Sequence, residues 1–212
     1  MKPTAERAMD VAEELFAERG YHGTTLGDVA DGIGIRSPSL YNHFRNKEAL
    51  YHAVLNRLIE QFNAPLRELR EGPLTRERIR DWQARVVRMH VRNPHLARII
   101  QHEALSGGPG RATIVERLIE PMVADTVSAL ERIANVEDDV RRLLLWTVMG
   151  FNNIVMSYVT MAPIYRSVLD IDPLGEQATE RQVEIILRIT DAFWTRDLGG
   201  RKARTRKPGM KA

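Results

Sequence analysis

The chain has 212 residues, a formal net charge of +3, 43% hydrophobic and 28% charged residues, and no cysteine. That length buries a core without covalent staples, and the missing cysteines exclude disulfide frameworks, thiolate zinc or iron–sulfur ligation, and cysteine nucleophiles. No apolar run approaches the roughly 18 to 20 residues that span a bilayer, and acids recur where a signal peptide needs an apolar core, so a cytoplasmic protein with no membrane partner is expected.

The charge is unevenly placed: residues 1–50 sum to −2, residues 51–200 to −1 and residues 201–212 to +6. The surplus belongs to the end of the chain, RKARTRKPGMKA, which has no apolar periodicity and is expected to be disordered. A solvated tail and a nonspecific anchor for anionic partners both remain open there.

Helical spacing runs through almost the whole chain, and no strand-like alternation exceeds about four residues. An all-α fold is predicted. Ala5, Ala8, Met9, Ala12, Leu15 and Phe16 form a continuous apolar stripe, with Gly20 where a C-terminal stop belongs, which predicts a helix over about 4–19. Thr25 with Asp28 three residues on has the form of a capping box ahead of Leu26, Val29, Ala30 and Ile33, and opens a short helix over about 25–31. Gly32 and Gly34 bracket a turn, after which Pro38 at an early helical position and Leu40 and Phe44 one turn apart predict a third helix over about 37–43.

Asn46 caps a fourth helix from Lys47 to Arg70, which Pro65 is expected to kink or divide. Thr75 opens a helix to about Arg92, Asn93-Pro94 breaks it, and Pro94 starts another to about Leu105. SGGPG, residues 106–110, is a loop. Further helices are predicted over about 111–134, with Pro121 as a kink candidate, over about 137–161 and over about 176–196. The last two are apolar on more than one side and need cover on more than one side; a second copy of the chain is the natural cover, making a homodimer through these two helices.

The second and third helices with their glycine turn form a helix-turn-helix. A short helix with one buried face leaves its other face and N-terminus free for the major groove. The free residues of the third helix are Arg36, Ser37, Ser39, Asn42 and His43, none of them acidic; Arg36 suits guanine O6/N7 and Asn42 suits adenine N6/N7. The first helix carries Glu6, Asp10, Glu13, Glu14 and Glu18, which phosphates repel, so it is expected to face away from the duplex.

From Ala12 to Leu50 the chain reads AEELFAERGYHGTTLGDVADGIGIRSPSLYNHFRNKEAL. Leu15-Phe16, Gly20-Tyr21, Gly23-Thr24-Thr25, Asp28-Val29-Ala30, Gly34-Ile35, Leu40-Tyr41, His43-Phe44 and Lys47-Glu48 with Leu50 closely resemble the DNA-binding domain of tetracycline-repressor-type (TetR) transcriptional regulators. The resemblance implies an N-terminal three-helix helix-turn-helix DNA-binding domain (residues 1–47), joined to a larger helical ligand-binding and dimerisation domain (residues 48–198) and followed by the basic tail (residues 199–212). It also implies a repressor that binds a pseudo-palindromic operator in double-stranded DNA as a homodimer and is released by a small hydrophobic ligand. Thr25 and Lys47 match positions that hold phosphates in the family, both at helix N-termini that favour anions. Tyr41 and His43 match a Tyr-x-His-Phe pattern whose tyrosine and histidine touch the DNA backbone, and Arg36, Ser37, Ser39 and Asn42 fall on positions that read sequence. Pro38 departs from the small residue frequent at its position.

No nucleophile elbow, phosphate loop or carboxylate dyad is present, so no enzyme and no cofactor are expected. His95 and His102 lie seven apart, too far to share a metal on one helix, and no metal site is expected even with His90 and Glu103 nearby. Candidates for an apolar ligand pocket are Phe62, Trp82, Met89, Ile99, His102, Met122, Trp146, Met149, Asn152, Asn153 and Met156, with Phe151 beside them. The same residues at helical spacing also suit ordinary core. A second functional reading stays open: a helical module for a small molecule or protein partner, with DNA binding secondary or independent of ligand.

Overall fold

Ala8, Ala12 and Phe16 recur along α1 (Thr4–Arg19) and lose all solvent exposure. The structure, a computed structural model, describes residues 2–70, 75–131 and 138–194. Helix α1 stops at Gly20, whose φ of 69° suits glycine and whose N–H donates to Phe16 O. The capping box forms: Asp28 N–H donates to Thr25 Oγ1 at 3.1 Å and Thr25 N–H to Asp28 Oδ2 at 2.8 Å, opening α2 (Leu26–Ile33). At the far end of α2, Gly34 adopts the left-handed conformation and Arg7 donates to Ile33 O at 2.6 Å. Gly32 is a close approach between helices, because a Cβ there would stand 2.6 Å from Val11 Cγ1.

Helix α3 (Ser37–Tyr41) follows, then α4 (Lys47–Arg70), capped by Asn46 Oδ1 accepting from Ala49 N–H at 2.8 Å. The remaining elements are α5 (Arg76–Arg92), α6 (His95–Ser106), α7 (Arg111–Ile114), a π-helical turn (Val115–Ile119), α8 (Glu120–Glu131), α9 (Asp138–Arg166) and α10 (Glu176–Phe193).

Two apolar cores organise these helices. The first joins Phe16 of α1, Val29 and Ile33 of α2 and Leu40 of α3 to Leu50, Tyr51, Val54, Leu55, Leu58 and Ile59 of α4, and continues into Leu96 and Ile99 of α6. Buried side chains thus run without a gap across the boundary expected at residue 47. The second core unites Val86 and Val87 of α5, Phe151 and Val155 of α9, and Val183 and Ile186 of α10; Met89 touches both. Polar bridges hold α10 on α5: Arg88 grips Glu180 with two bonds of 2.7 Å, Arg76 Nε donates to Asp191 at 2.9 Å, Arg80 pairs with the same carboxylate, and Thr190 donates to Gln83 at 2.8 Å.

Several boundaries differ from expectation, the first being α2, which runs on to Ile33 instead of closing near 31. Helix α3 ends at Tyr41 instead of 43, because His43 and Phe44 N–H groups both turn back to Leu40 O at 3.0 Å. Pro65 does not divide α4, which runs on as one helix; Phe62, one turn before it, is held with its ring edge against His90, centroids 4.4 Å apart. In the expected 111–134 helix the disturbance lies ahead of Pro121. Proline has no N–H for the Arg117 carbonyl; Asn63 Nδ2 donates to that oxygen at 2.9 Å, and the chain widens into the π turn just before the proline. Helix α9 continues through Pro163 to Arg166 instead of closing near 161. The basic tail, and the ends expected near 134–137 and 195–196, lie outside the described residues.

Candidate nucleic-acid interface and the contacts behind it

Leu40 is the buried anchor of α3; around it the helix turns outward Arg36, Ser39, Asn42 and His43, all exposed, and Tyr41 at 55% exposure, with Ser37 half-buried. Tyr41 is therefore a surface ring, not core. Because α3 ends at Tyr41, Asn42 sits at its C-cap and His43 in the following turn. No carboxylate lies among residues 32–47, so this edge presents only groups compatible with phosphates and base edges.

The two residues expected to hold phosphates are already engaged. The Thr25 hydroxyl donates to Asp28 Oδ2 at 2.6 Å while it accepts from Asp28 N–H, which leaves the first-turn backbone of α2 as the donor at that end. Lys47 Nζ donates to Tyr21 O at 2.8 Å and Thr24 O at 2.9 Å and lies 4.1 Å from the Tyr21 ring centroid. Two of its three N–H groups thus clamp the α1–α2 corner to the start of α4, and one remains for an outside acceptor.

Three contacts that sequence reading missed brace this unit, the first within it and the other two against the rest of the chain. Thr24, fully buried, reaches Gly20 O at 3.0 Å and Leu15 O at 3.2 Å and closes the corner after α1. Glu13, 8% exposed, accepts from Arg57 Nη2 at 2.6 Å, from His95 Nδ1 at 2.8 Å and from Asn93 Nδ2 at 3.2 Å, while Arg57 Nη1 donates to Asp10 at 2.8 Å. Burial works against a charged Glu13, but the hydrogen bonds from His95 and Arg57 outweigh it and hold the carboxyl below its ordinary value. Tyr51 of α4 donates to Glu103 Oε1 of α6 at 2.5 Å, both side chains being buried. Burial first, then the neighbouring carboxylate, pushes the Tyr51 hydroxyl far above its usual pKa. Phe16 and Tyr21 meet the Tyr51 ring edge-on, with centroids 4.7 and 5.0 Å away. Acids spaced along α1 and an isolated Tyr on α4 carry no sign of these partners in sequence, since each bond spans 44 residues or more.

The pocket candidates do not gather round one space. Phe62 and Ile99 belong to the first core; Trp82 and Met89 pack on the second, with the Trp82 ring tilted 5.2 Å from Phe151 and its buried Nε1–H without a partner among the described residues. Asn152 Nδ2 donates to Val148 O at 3.0 Å and approaches Met122 Sδ at 3.1 Å, while Met156 is half-buried. Trp146 (67%), Met149 (39%) and Asn153 are exposed and form an outer face of α9, a correction to their expected place in an interior wall. That face continues in Leu143 and Ile154, and α10 likewise exposes Ile185 and Ile189. His102, on α6 one turn beyond Ile99, lines a groove beside α1. His90, absent from the expected pocket, is buried near Phe62; its Nδ1 faces Val86 O at 2.9 Å, and burial lowers its pKa, so a neutral ring with Nδ1–H is favoured. Among the described residues no cluster of three or more His, Asp or Glu is placed to hold a metal ion, and no helix is long and apolar enough to cross a membrane.

Comparison with known proteins agrees with this architecture. Residues 8–54 match the family model "Bacterial regulatory proteins, tetR family". Over 59 residues the chain is 44% identical to the HTH-type transcriptional repressor ComR of Escherichia coli K12, a stretch covering 28% of each protein. Among solved structures, the ketosteroid transcriptional regulator KstR2 of Mycobacterium tuberculosis aligns at TM-score 0.64 and 22% identity, covering 89% of this chain and 95% of that one. AibR, solved in complex with isovaleryl coenzyme A and operator DNA, aligns at TM-score 0.68 and 21% identity, covering 87% and 96%. The sequence likeness is thus concentrated in the α1–α4 unit, where residues 8–54 match the tetR family of bacterial regulatory proteins, while the helical fold is shared across nearly the whole length.

Proposed function

We propose that this chain is a DNA-binding transcriptional regulator, acting as a homodimeric repressor on a pseudo-palindromic operator and released by a small hydrophobic molecule. The observation that carries the reading is the exposed, acid-free edge of α3, seated on the apolar core it shares with α1, α2 and α4. Arg36, Ser37, Ser39 and Asn42 read bases, while Tyr41, His43, the α2 start at Thr25 and the remaining N–H of Lys47 meet phosphates. Residues 1–47 form the reading unit and 48–198 the ligand-binding and dimerising body. The bound acyl thioester and operator in the AibR structure support a ligand-responsive reading.

A mobility-shift assay on the DNA upstream of the protein's own gene tests this. A specific complex is expected; no shift at low salt would favour the helical module without a DNA role. Asn42→Ala is expected to weaken specific binding by about 1 to 3 kcal/mol and leave random DNA unaffected. Lys47→Ala should weaken both and also lower the melting temperature, because it removes the clamp on Tyr21 and Thr24.

The dimer reading rests on the outer face of α9 and α10, where Trp146, Ile185 and Ile189 are each half exposed or more. An apolar face of that kind marks an interface, and two reading helices about 34 to 36 Å apart meet successive major grooves. Trp146→Glu is expected to convert a dimer into a monomer in sedimentation experiments and to abolish binding to a two-half-site operator. A wild-type chain that sediments as a monomer at micromolar concentration would overturn the dimer.

A further inference from the structure

A groove of about 310 Å³ lies where α1 meets α6 and α9, with Ala17 and Glu18 on one wall, Arg98, His102 and Leu105 on another, and Thr160 and Pro163 on the third. Gln101 of α6 donates to Thr160 of α9 at 2.9 Å and braces its far side. Arg98 and His102 stand four residues apart, so they share one face of α6, and both are half-buried. Other half-buried arginines that join helices have partners: Arg57, Arg76, Arg80 and Arg88 each hold a carboxylate, and Arg7 holds the Ile33 carbonyl. The side chains of Arg98 and His102 have no hydrogen bond or ion pair among the described residues. The one acid in the groove, Glu18, is exposed at the rim and pairs with Arg19 at 3.8 Å.

A half-buried guanidinium gives up hydration and recovers it best against a carboxylate or phosphate, which its planar fork meets with two parallel bonds. Beside it, Leu105 at 87% exposure, Ala17 and Pro163 offer an apolar wall. We infer that this groove is a binding site for a small organic anion, a carboxylate or phosphate head on a short apolar chain, held by Arg98 and His102. At about 30 Å³ per water-sized group the space takes roughly ten such groups, near the lower limit for a ligand site.

The site deepens the regulatory reading and rests on it for its consequence. One wall is α1 of the reading unit and the others are α6 and α9 of the body. An anion held across them favours one placement of the two parts, so it changes operator affinity by the factor by which operator changes anion affinity. His102 also abuts the end of α1, since a Cβ at Gly20 would lie 3.0 Å from its Nδ1.

Calorimetric titration of the full chain with hexanoate, hexyl phosphate, inorganic phosphate and hexanol tests the site without DNA. Hexanoate or hexyl phosphate is expected to bind saturably, inorganic phosphate more weakly and hexanol not at all; the stronger of the first two identifies the head group. Arg98→Ala should weaken that binding tenfold or more with an unchanged circular dichroism spectrum and melting temperature, and Arg92→Ala, an arginine outside the groove, should leave it unaltered. No saturable heat with either anion, equal binding of hexanol, or binding indifferent to Arg98→Ala would overturn the site. Operator binding by mobility shift, with and without the anion, is read separately: heat without any DNA complex would overturn the regulatory reading and leave the site standing.

Discussion

Glu13→Ala is expected to lower the stability of the chain by about 3 kcal/mol, which in a protein of this size is a fall of roughly 6 to 12 °C in melting temperature. The carboxylate is 8% exposed and satisfies donors from three places at once: Arg57 on α4, His95 at the start of α6 and Asn93 in the turn before it. Removing it strands a guanidinium whose Nε already lacks a partner among the described residues. Arg57 retains Asp10 through Nη1, which is why the figure sits at the low end for a broken buried pair. Differential scanning calorimetry of Glu13→Ala and Glu13→Gln checks it, the amide losing less because its oxygen still accepts from Arg57. A loss below about 0.5 kcal/mol, the scale of an ordinary surface change, would refute the role.

The same residue sets a pH window. Its folded pKa lies below the ordinary 4.5, so the unfolded chain takes up the proton first as pH falls, and the contribution of Glu13 is complete above about pH 4.5 and lost progressively below it. Wild type and Glu13→Gln should therefore converge in stability on acidification and stay separated at neutral pH.

What the sequence discloses and what it withholds divide along the range of the interactions. Helix α1, the Thr25–Asp28 box, the Asn46 cap and the stop at Gly20 each depend on residues within one or two turns, and each stands where the pattern puts it. The exposed edge of α3 is legible for the same reason, since Leu40 buried and its neighbours exposed follow from a single helical face. The proline effects are half legible: Pro121 predicts a disturbance, but the π turn ahead of it depends on Asn63, 54 residues away, taking up the Arg117 carbonyl. Lys47 shows the limit most clearly, because a lysine at a helix start reads as a phosphate contact, and only the fold reveals that Tyr21 and Thr24 use two of its donors. The apolar helices α9 and α10 announce that they need cover, yet the α9 pattern does not say which residues face inward; Phe151 and Val155 do, and Trp146, Met149 and Asn153 do not.

Tyr51→Phe is the second large effect expected, again about 3 kcal/mol, and its reversal is more informative than its size. The substitution keeps the ring that Phe16 and Tyr21 pack against but removes the only donor to Glu103 Oε1 among the described residues, in a site where Oε2 is already unpartnered and the residue is 4% exposed. A buried carboxylate without a donor bears its desolvation penalty uncompensated, whereas removing both partners returns most of that loss. Glu103→Met in the Tyr51→Phe background should thus recover about 1 to 3 kcal/mol relative to Tyr51→Phe alone. Space limits the choice of replacement, since Gly108 and Gly110 close over the carboxylate so tightly that a Cβ on Gly108 would lie 2.3 Å from Glu103 Oε1. Additive losses in the two single variants would mean that the pair is packing alone. Strong coupling would identify the bond as a fastener between α6 and the α4 helix on which α1–α3 pack. Operator affinity should then fall in Tyr51→Phe at temperatures well below its melting point, and recover only in part in the double variant, because stability returns with the apolar pair but the directional bond that fixes α6 on α4 does not.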